Sequence, residues 1–571
     1  MANILPGPAP QAQRADWVRC PQCRFLTYGK RLTRNLGVCP ECGHHGRLSA
    51  RERLVQLIDA GSFVEAGDHD GGQEDPLAFA DRLPYPQRLA EARRATGEQE
   101  AVVTGRAAIG GSDVVVAVMD FRFLGGSMGT GVGERVTWAA EEAARTRIPL
   151  LLVTTSGGAR MQEGCLSLMQ MAKTAQAIGR LRELGVLCVC VLLDPTFGGV
   201  SASFAMLGHV VVAEAGALVG FAGPRVIQET IRQELPPGFQ TAEFLLAHGL
   251  VDRVEPRQRL RPVLEQLLAT TRRGDAPPEA GGSPPIRVAG QLAVRDADPW
   301  ALVQRARNID RPTTLDYLGT AFDEFVELHG DRAFADDAAI VGGLARVGGR
   351  GVVVVGHQKG HNTRDLVARN FGMAHPEGYR KARRLLELAA SLRLPVVCLV
   401  DTPGAFPGVQ AEERGQSAAI AECIMAASRL PVPIVSVITG EGGSGGALAL
   451  ATADRVLMLE NGFYSVISPE GCAAILWRSC DAAPDAARAL RITAPQLLDL
   501  GVIDAVVPEP AEGAHTAPRE TAANLRSGVV EQLDALDGLP AEALLAHRYE
   551  RFRAFGGWPS AADLAERARS A

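Results

Sequence analysis

The sequence predicts an α/β fold built twice on largely parallel sheets, preceded by a small four-cysteine ribbon. Three observations predict it. Short apolar strands alternate with helical segments. The alternation recurs in the same order in both halves of the chain. Two CxxC knuckles lie close together near the start.

A chain of 571 residues is too long for one ordinary core, so two large domains are expected. With 46% hydrophobic and 22% charged residues, the balance is that of a folded globular protein rather than a disordered one. The net charge of -6 excludes a surface built throughout for nucleic acid. The Pro/Ala-rich start, Met1 to Gln13, lacks the pattern of a signal peptide, and no apolar run is long enough to span a membrane. Cys165, Cys188, Cys190, Cys398, Cys423, Cys472 and Cys480 sit mostly in apolar or small-residue runs, as thiols of a reducing compartment do. A cytoplasmic protein is expected.

The elements follow in order. Residues 1–48 are read as an N-terminal tail and ribbon, with Cys20-Pro-Gln-Cys23 and Cys39-Pro-Glu-Cys42 separated by fifteen residues. This spacing suits four thiolates around one tetrahedral zinc, the rival iron–sulfur cluster lacking any neighbouring redox motif, and four thiolates leave no open position, so the metal is structural. His44 and His45 are read as surface residues, not ligands. Around the ribbon Arg14, Arg19, Arg24, Lys30, Arg31, Arg34, Arg47, Arg51 and Arg53 outnumber Asp16, Glu41 and Glu52, which suits nucleic acid, a coenzyme phosphate, or local charge balance against the metal centre.

Residues 49–273 form the first α/β domain. A strand from Pro149 to Thr154 ends at Ser156-Gly157-Gly158. The helix Gly164 to Leu184 follows, with Leu168, Met171 and Ala175 on one face. The strand Val186 to Leu193, the turn Phe197-Gly198-Gly199, a small-residue helix and a strand from His209 to Ala213 complete the pattern. Residues 274–299 are a Pro/Gly-rich linker.

Residues 300–571 repeat the order. The strand Pro395 to Val400 ends at Asp401-Thr-Pro-Gly404. A helix from Gln410 to Arg429, the strand Pro433 to Ile438, the turn Gly442-Gly443-Ser444-Gly445-Gly446, the helix Ala447 to Ala451 and the strand Arg455 to Leu459 follow. The ends agree too: His248-Gly-Leu-Val-Asp252 mirrors Leu500-Gly-Val-Ile-Asp504.

Each half therefore has a glycine turn between a strand and a helix, which aims free backbone N–H groups at whatever lies in front. Neither turn has the Lys-Ser/Thr of a phosphate loop or the spacing of a dinucleotide fingerprint. An oxyanion hole, or close packing of helix on strand, remains. No nucleophile with a paired His accompanies either turn, so the chemistry rests on electrostatics and positioning.

Thr155-Ser-Gly-Gly-Ala-Arg-Met-Gln-Glu-Gly164, Phe197-Gly-Gly-Val-Ser-Ala-Ser-Phe204 and the four-cysteine ribbon resemble the β subunit of bacterial acetyl-CoA carboxylase carboxyltransferase. Gly356-His-Gln-Lys-Gly360, Pro376-Glu-Gly-Tyr-Arg-Lys381, Asp401-Thr-Pro-Gly404 and Gly440-Glu-Gly-Gly-Ser-Gly-Gly446 resemble its α subunit. The resemblance implies two crotonase-like ββα-superhelix domains with an active site where a β-type half meets an α-type half. It implies transfer of a carboxyl group from carboxybiotin, supplied in trans on a biotin carboxyl carrier protein, to acetyl-CoA. The product is malonyl-CoA for fatty acid biosynthesis. Gly198 and Gly199 would then serve the thioester enolate, and Gly445 and Gly446 the biotin ureido oxygen.

A separate biotin carboxylase is implied, because no biotinyl Met-Lys-Met and no ATP-binding region is recognisable. The fusion of the halves departs from the family's separate subunits and implies a homodimer of fused chains. A propionyl-CoA transferase, a malonate decarboxylase component, a hydratase using Glu441 and a zinc-ribbon nucleic-acid regulator are the alternatives. Nucleic acid is at best a secondary role of the ribbon, and no membrane partner is expected.

Overall fold

The computed structural model describes residues 17–67, 75, 77–224, 227–228, 232, 234–272 and 298–555. The start of the chain and nearly all of the predicted linker lie outside these residues. Two compact units emerge, Met1–Ala269 and Thr270–Ala571.

Unit 1 opens with the ribbon, where β1 (Trp17–Arg19) and β2 (Leu26–Tyr28) pair antiparallel around the first knuckle. Its main sheet is built from β3 (Val64–Glu65), β4 (Val102–Ile109), β5 (Ser112–Met119) and β6 (Leu150–Ser156). It continues through β7 (Cys188–Phe197), β8 (Val210–Glu214), β9 (Val219–Gly220) and β10 (Arg253–Glu255). The strand order is β10-β8-β7-β6-β5-β4-β3, with β9 also on β7. From β5 to β10 the pairs are parallel, which is why Leu150–Ser156 is buried along its whole length.

Unit 2 has β11 (Glu324–Glu327), β12 (Ile340–Val347), β13 (Arg350–His357) and β14 (Val396–Thr402). Then come β15 (Ile434–Gly443), β16 (Arg455–Leu459), β17 (Phe463–Ser465) and β18 (Ala505–Val507). The order β11-β12-β13-β14-β15-β16-β18, with β17 on β15, is that of unit 1 strand for strand. Val-rich runs such as Val352-Val353-Val354-Val355 form the sheet because branched side chains pack well on a surface covered from both sides.

The mirrored aspartates have the same task in both sheets. Asp252 accepts the N–H of Val211 through its side chain at 2.6 Å, and Asp504 accepts that of Val456 at 2.6 Å. Each ties an outer strand to its neighbour by supplying an acceptor where the ladder lacks one.

Three expectations differ from the observed elements. The segment Gln410 to Arg429 is two helices, Val409–Glu413 and Gln416–Ser428, because Gly415 takes φ 80° between them. The strands β7 and β15 run past Leu193 and Ile438 to the glycine turns, through an irregularity described below. The helix Gly164–Leu184 has the predicted bounds but buries another face: Ser167, Gln170, Thr174, Ile178 and Leu181 point inward, while Leu168 is 53% exposed.

Candidate active site and metal centre

The two glycine turns are built alike. In unit 1, β6 ends at Ser156, whose hydroxyl accepts the Gly158 N–H at 3.0 Å. The Gly157 N–H goes to Gly125 O and the Arg160 N–H to Met128 O, both at 2.9 Å. The Ala159 N–H has no acceptor among the described residues. In unit 2 the Thr402 hydroxyl accepts the Gly404 N–H at 3.1 Å, the Phe406 N–H goes to Ala374 O, and the Ala405 N–H has no acceptor among the described residues.

Each of these loops faces the start of a helix. Gly198 has φ 64° and opens the helix Gly198–Ser201, and a Cβ there would lie 2.8 Å from the Cα of Gly158. Only glycine fits both constraints. The Gly198 N–H is already engaged by Phe221 O at 2.9 Å, whereas the Gly199 N–H, at the second helical position, has no acceptor among the described residues. A Cβ on Gly158 would sit 4.0 Å from the Gly199 nitrogen, so the Ala159 and Gly199 donors belong to adjoining segments.

Strand pairing sets the correspondence between the turns. Phe197 pairs with Gly220 in unit 1, and Gly443 pairs with Ser465 in unit 2. Gly198 therefore corresponds to Ser444, which has φ 55°, and Gly199 to Gly445. Gly446 corresponds to Val200. It is a close-packing position: a Cβ on it would lie 2.6 Å from Ala405 N and 2.8 Å from Gly404 C. Gly445 is open, with Ile420 Cγ2 at 3.8 Å as the nearest atom to an added Cβ.

Beside the second turn lies a charged cluster that sequence reading did not assemble. Lys359 Nζ donates to Asp401 Oδ1 at 2.8 Å and to Glu441 Oε1 at 2.7 Å. Arg307 Nε donates to Glu441 Oε2 at 2.8 Å, and its Nη1 to Glu470 Oε1 at 2.5 Å. Burial alone raises the pKa of Glu441, but Lys359 and Arg307 overcome it and hold the carboxyl below its ordinary value. A carboxylate locked by two cations is a poor general base, which removes the feature on which a hydratase reading depends. Lys359 and Asp401 are 42 positions apart, and no local spacing announces their contact.

In the ribbon, the four sulfurs of Cys20, Cys23, Cys39 and Cys42 all lie within 4.8 Å of one another. Cys20 Sγ is 3.7 Å from Cys42 Sγ, and Cys23 Sγ is 3.8 Å from Cys39 Sγ. A tetrahedron with zinc–sulfur bonds of about 2.3 Å has edges of about 3.8 Å, so the arrangement fits that ion. His45 is not a surface residue: its Nδ1 lies 3.7 Å from the buried carboxylate of Glu214. Arg53 and Arg257 also bind Glu214, and Arg257 Nη1 reaches the ribbon carbonyls of Leu36 and Gly46 at 2.8 Å each.

Among the described residues no helix is long and apolar enough to cross a membrane.

Comparison with known protein families matches most of the chain in three pieces. Residues 17–42 match an acetyl-CoA carboxylase zinc finger domain, 43–238 a carboxyl transferase domain, and 289–556 an acetyl co-enzyme A carboxylase carboxyltransferase-like family. The chain is 59% identical over 557 residues to the acetyl-coenzyme A carboxylase carboxyl transferase subunits beta/alpha of Salinispora tropica, covering 97% of this chain and 98% of that protein. It is also 59% identical over 554 residues to the protein of that name from Salinispora arenicola, covering 96% and 97%. A solved transcarboxylase 12S structure shares the fold at 24% identity, with a TM-score of 0.67, covering 86% of this chain and 90% of that one. The α/β units are thus crotonase-like, as expected. With two matching halves, the β-type first, the chain belongs to the acetyl-CoA carboxylase carboxyl transferase family in its fused beta/alpha form.

Proposed function

We propose that the chain transfers the carboxyl group of carboxybiotin, presented on a biotin carboxyl carrier protein, to acetyl-CoA, making malonyl-CoA for fatty acid synthesis. The observation that carries this reading is the repeated pair of backbone donors unengaged among the described residues, Ala159 with Gly199 and Ala405 with Gly445, with Glu441, beside the second pair, held by Lys359 and Arg307. Paired N–H groups stabilise negative charge on an oxygen without proton transfer, which is what carboxyl transfer requires at two oxygens.

In this scheme the unit 2 donors hold the ureido oxygen of carboxybiotin. Charge accumulates on that oxygen as the N–CO₂ bond breaks, and CO₂ and the biotin anion result. The biotin anion removes the methyl proton of acetyl-CoA. The unit 1 donors stabilise the thioester enolate, whose carbon attacks CO₂ to form the new C–C bond. Atoms and charge balance with no protein base, in keeping with the locked Glu441.

Gly198 keeps the unit 1 turn in its left-handed conformation, and Gly446 lets the Ala405 loop approach. The four cysteines hold one structural zinc per chain, which ties the two knuckles together. Carboxylation of biotin belongs to a separate biotin carboxylase. A homodimer of fused chains gives a partner for the exposed apolar side chains Met161, Leu166, Leu168 and Met169.

The test is the reverse reaction: purified chain with malonyl-CoA and a free biotin derivative, with acetyl-CoA measured. Biotin-dependent acetyl-CoA formation supports the reading, and its absence overturns it. Replacing malonyl-CoA with methylmalonyl-CoA separates the acetyl enzyme from a propionyl-CoA transferase.

A further inference from the structure

Both units carry the same irregularity beside the glycine turn, and they satisfy it differently. Between the pairs Thr154↔Leu192 and Ser156↔Thr196, β7 has two residues more than β6. Between Val400↔Ile438 and Thr402↔Gly442, β15 has two more than β14. Such a bulge leaves backbone groups outside the ladder, and these need other partners.

In unit 1 the solution is uncharged. The residue before the last paired one is Pro195, which has no N–H, and the Thr155 hydroxyl reaches the carbonyls of Asp194 and Pro195 at 3.3 and 3.2 Å. In unit 2 the corresponding positions are Glu441 and Asp401. The Glu441 N–H donates to Asp401 Oδ1 at 2.8 Å, and Lys359 Nζ bonds the same oxygen. A Cβ on Gly440 would lie 2.5 Å from that oxygen, so the carboxylate rests on the bulge itself. The position of Lys359 after its strand is held by Phe121 in unit 1, by the pairings Gly356↔Leu399 and Val118↔Val153.

We propose that Lys359 is a positioning residue for the second turn. Its ammonium joins the ends of β13, β14 and β15 at one point, four residues before both Ala405 and Gly445, and sets the spacing of those two donors. The inference rests on the reading of that turn as the biotin-facing one. It predicts that Lys359 governs use of the biotin substrate and leaves acyl-CoA binding alone.

Without Lys359, two buried carboxylates face each other. When both are ionised they repel and the bulge opens; a single shared proton closes it again. The other groups around them are Arg307 with Glu470, Arg311 with Glu509 behind Thr439 O, the Tyr317 hydroxyl, and His357, which burial pushes down to about 3 and keeps neutral. None of these replaces the ammonium.

The experiment measures kcat and KM for a free biotin derivative and for malonyl-CoA in the reverse reaction, across pH, for Lys359→Met, Lys359→Arg and Glu441→Gln. Displacement of a positioned group costs up to about 10²-fold in rate. For Lys359→Met the expected result is a loss of that order in kcat/KM for biotin, with KM for malonyl-CoA unchanged. The loss deepens as pH rises, and Lys359→Arg recovers part of it. Equal losses for both substrates, or a loss that follows the melting temperature and is flat in pH, overturn the proposal. Should Lys359→Met fail to fold, Glu441→Gln carries the test, since its amide turns a donating NH₂ to Lys359 or Arg307 where the carboxylate gives each an oxygen: a biotin-selective loss supports the proposal and unchanged kinetics sink it. Absence of transfer by the unsubstituted chain overturns the functional reading, and the positioning role with it.

Discussion

Arg257 and Glu214 form a two-bond ion pair in the interior of unit 1, Nε and Nη2 of the guanidinium meeting the two carboxylate oxygens at 2.7 and 2.9 Å. Arg53 shares the same carboxylate, and the third nitrogen of Arg257 points into the ribbon. Removing the anion leaves two guanidinium groups buried and unpaired, a loss of about 3–5 kcal/mol. Glu214→Ala is therefore expected to lower the melting temperature sharply and to expose the ribbon to limited proteolysis before the rest of unit 1. An unchanged cleavage pattern contradicts this.

The same pair predicts a pH dependence. Burial alone raises the pKa of Glu214, but Arg257, His45 and Arg53 overcome it and hold the carboxyl well below its ordinary value. A depressed folded pKa means stability present in full above the unfolded value of about 4.3 and lost as pH falls below it. Acid titration of the native protein should loosen the ribbon only below that point, and Glu214→Gln should abolish this component of the acid transition.

Zinc content is a separate check. One zinc per chain is expected, lost in a Cys39→Ala, Cys42→Ala double variant, with the ribbon unfolding first because a small metal domain folds on its ion. Elemental analysis and near-ultraviolet spectra report this directly. Full zinc content in the double variant excludes the four-thiolate site.

The two glycines of the second turn are expected to separate. Gly445→Ala adds a Cβ whose nearest neighbour is 3.8 Å away, so the fold should tolerate it. In the proposed scheme the new methyl group crowds the approach of the ureido oxygen to the Gly445 N–H, and loss of one oxyanion contact costs about 10²–10³ in rate. Gly446→Val instead drives a side chain into the Ala405 backbone, so melting temperature and activity should fall together. A fully active Gly445→Ala variant removes that donor from the scheme.

Arg548 closes unit 2. It lies in the helix Ala541–Ala554, is fully buried, and binds both oxygens of Asp454 as well as the carbonyls of Ala427, Leu430 and Val432. Arg548→Ala removes the counter-ion of the buried Asp454 and leaves it only the Ile434 N–H among the described residues, which costs about 3–5 kcal/mol. Hydrogen exchange should rise first in Ala541–Ala554 and at the end of Gln416–Ser428; protection equal to wild type refutes this account.

Much of this was legible in the order of residues. Strand and helix signals near the turns are local, and Arg455–Leu459 and Gly164–Leu184 have the expected bounds. The orientation of Gly164–Leu184 was not legible, because its inward face begins with Ser167, Gln170 and Thr174, which hydrogen-bond within the unit, and turns apolar only at Ile178 and Leu181, while several of its other apolar residues stay exposed. The glycines announced the turns, yet pairing Gly198-Gly199 with Gly445-Gly446 by composition misses the correspondence by one residue. It takes strand pairing to show that Ser444 occupies the left-handed position, and the hydrogen bonds to show that the N–H groups of Ala159 and Ala405 are unengaged among the described residues. Lys359, Asp401, Glu441 and Arg307 come from four separate segments, so only folding makes them a cluster.

The excess on β7 and β15 has an arithmetic consequence. It is two residues in both units, an even number, and side chains on a strand alternate with period two. The bulge takes up two residues, while every residue beyond it keeps the face it would have had without it. A single-residue deletion among Thr439, Gly440 and Glu441 would reverse that parity, turning Gly442 and Gly443 over and aiming the following helix away from the Ala405 loop. Removal of two would keep that parity and erase the bulge. The architecture therefore admits changes in length here only in pairs, and the shortest such change takes away the seat of Lys359.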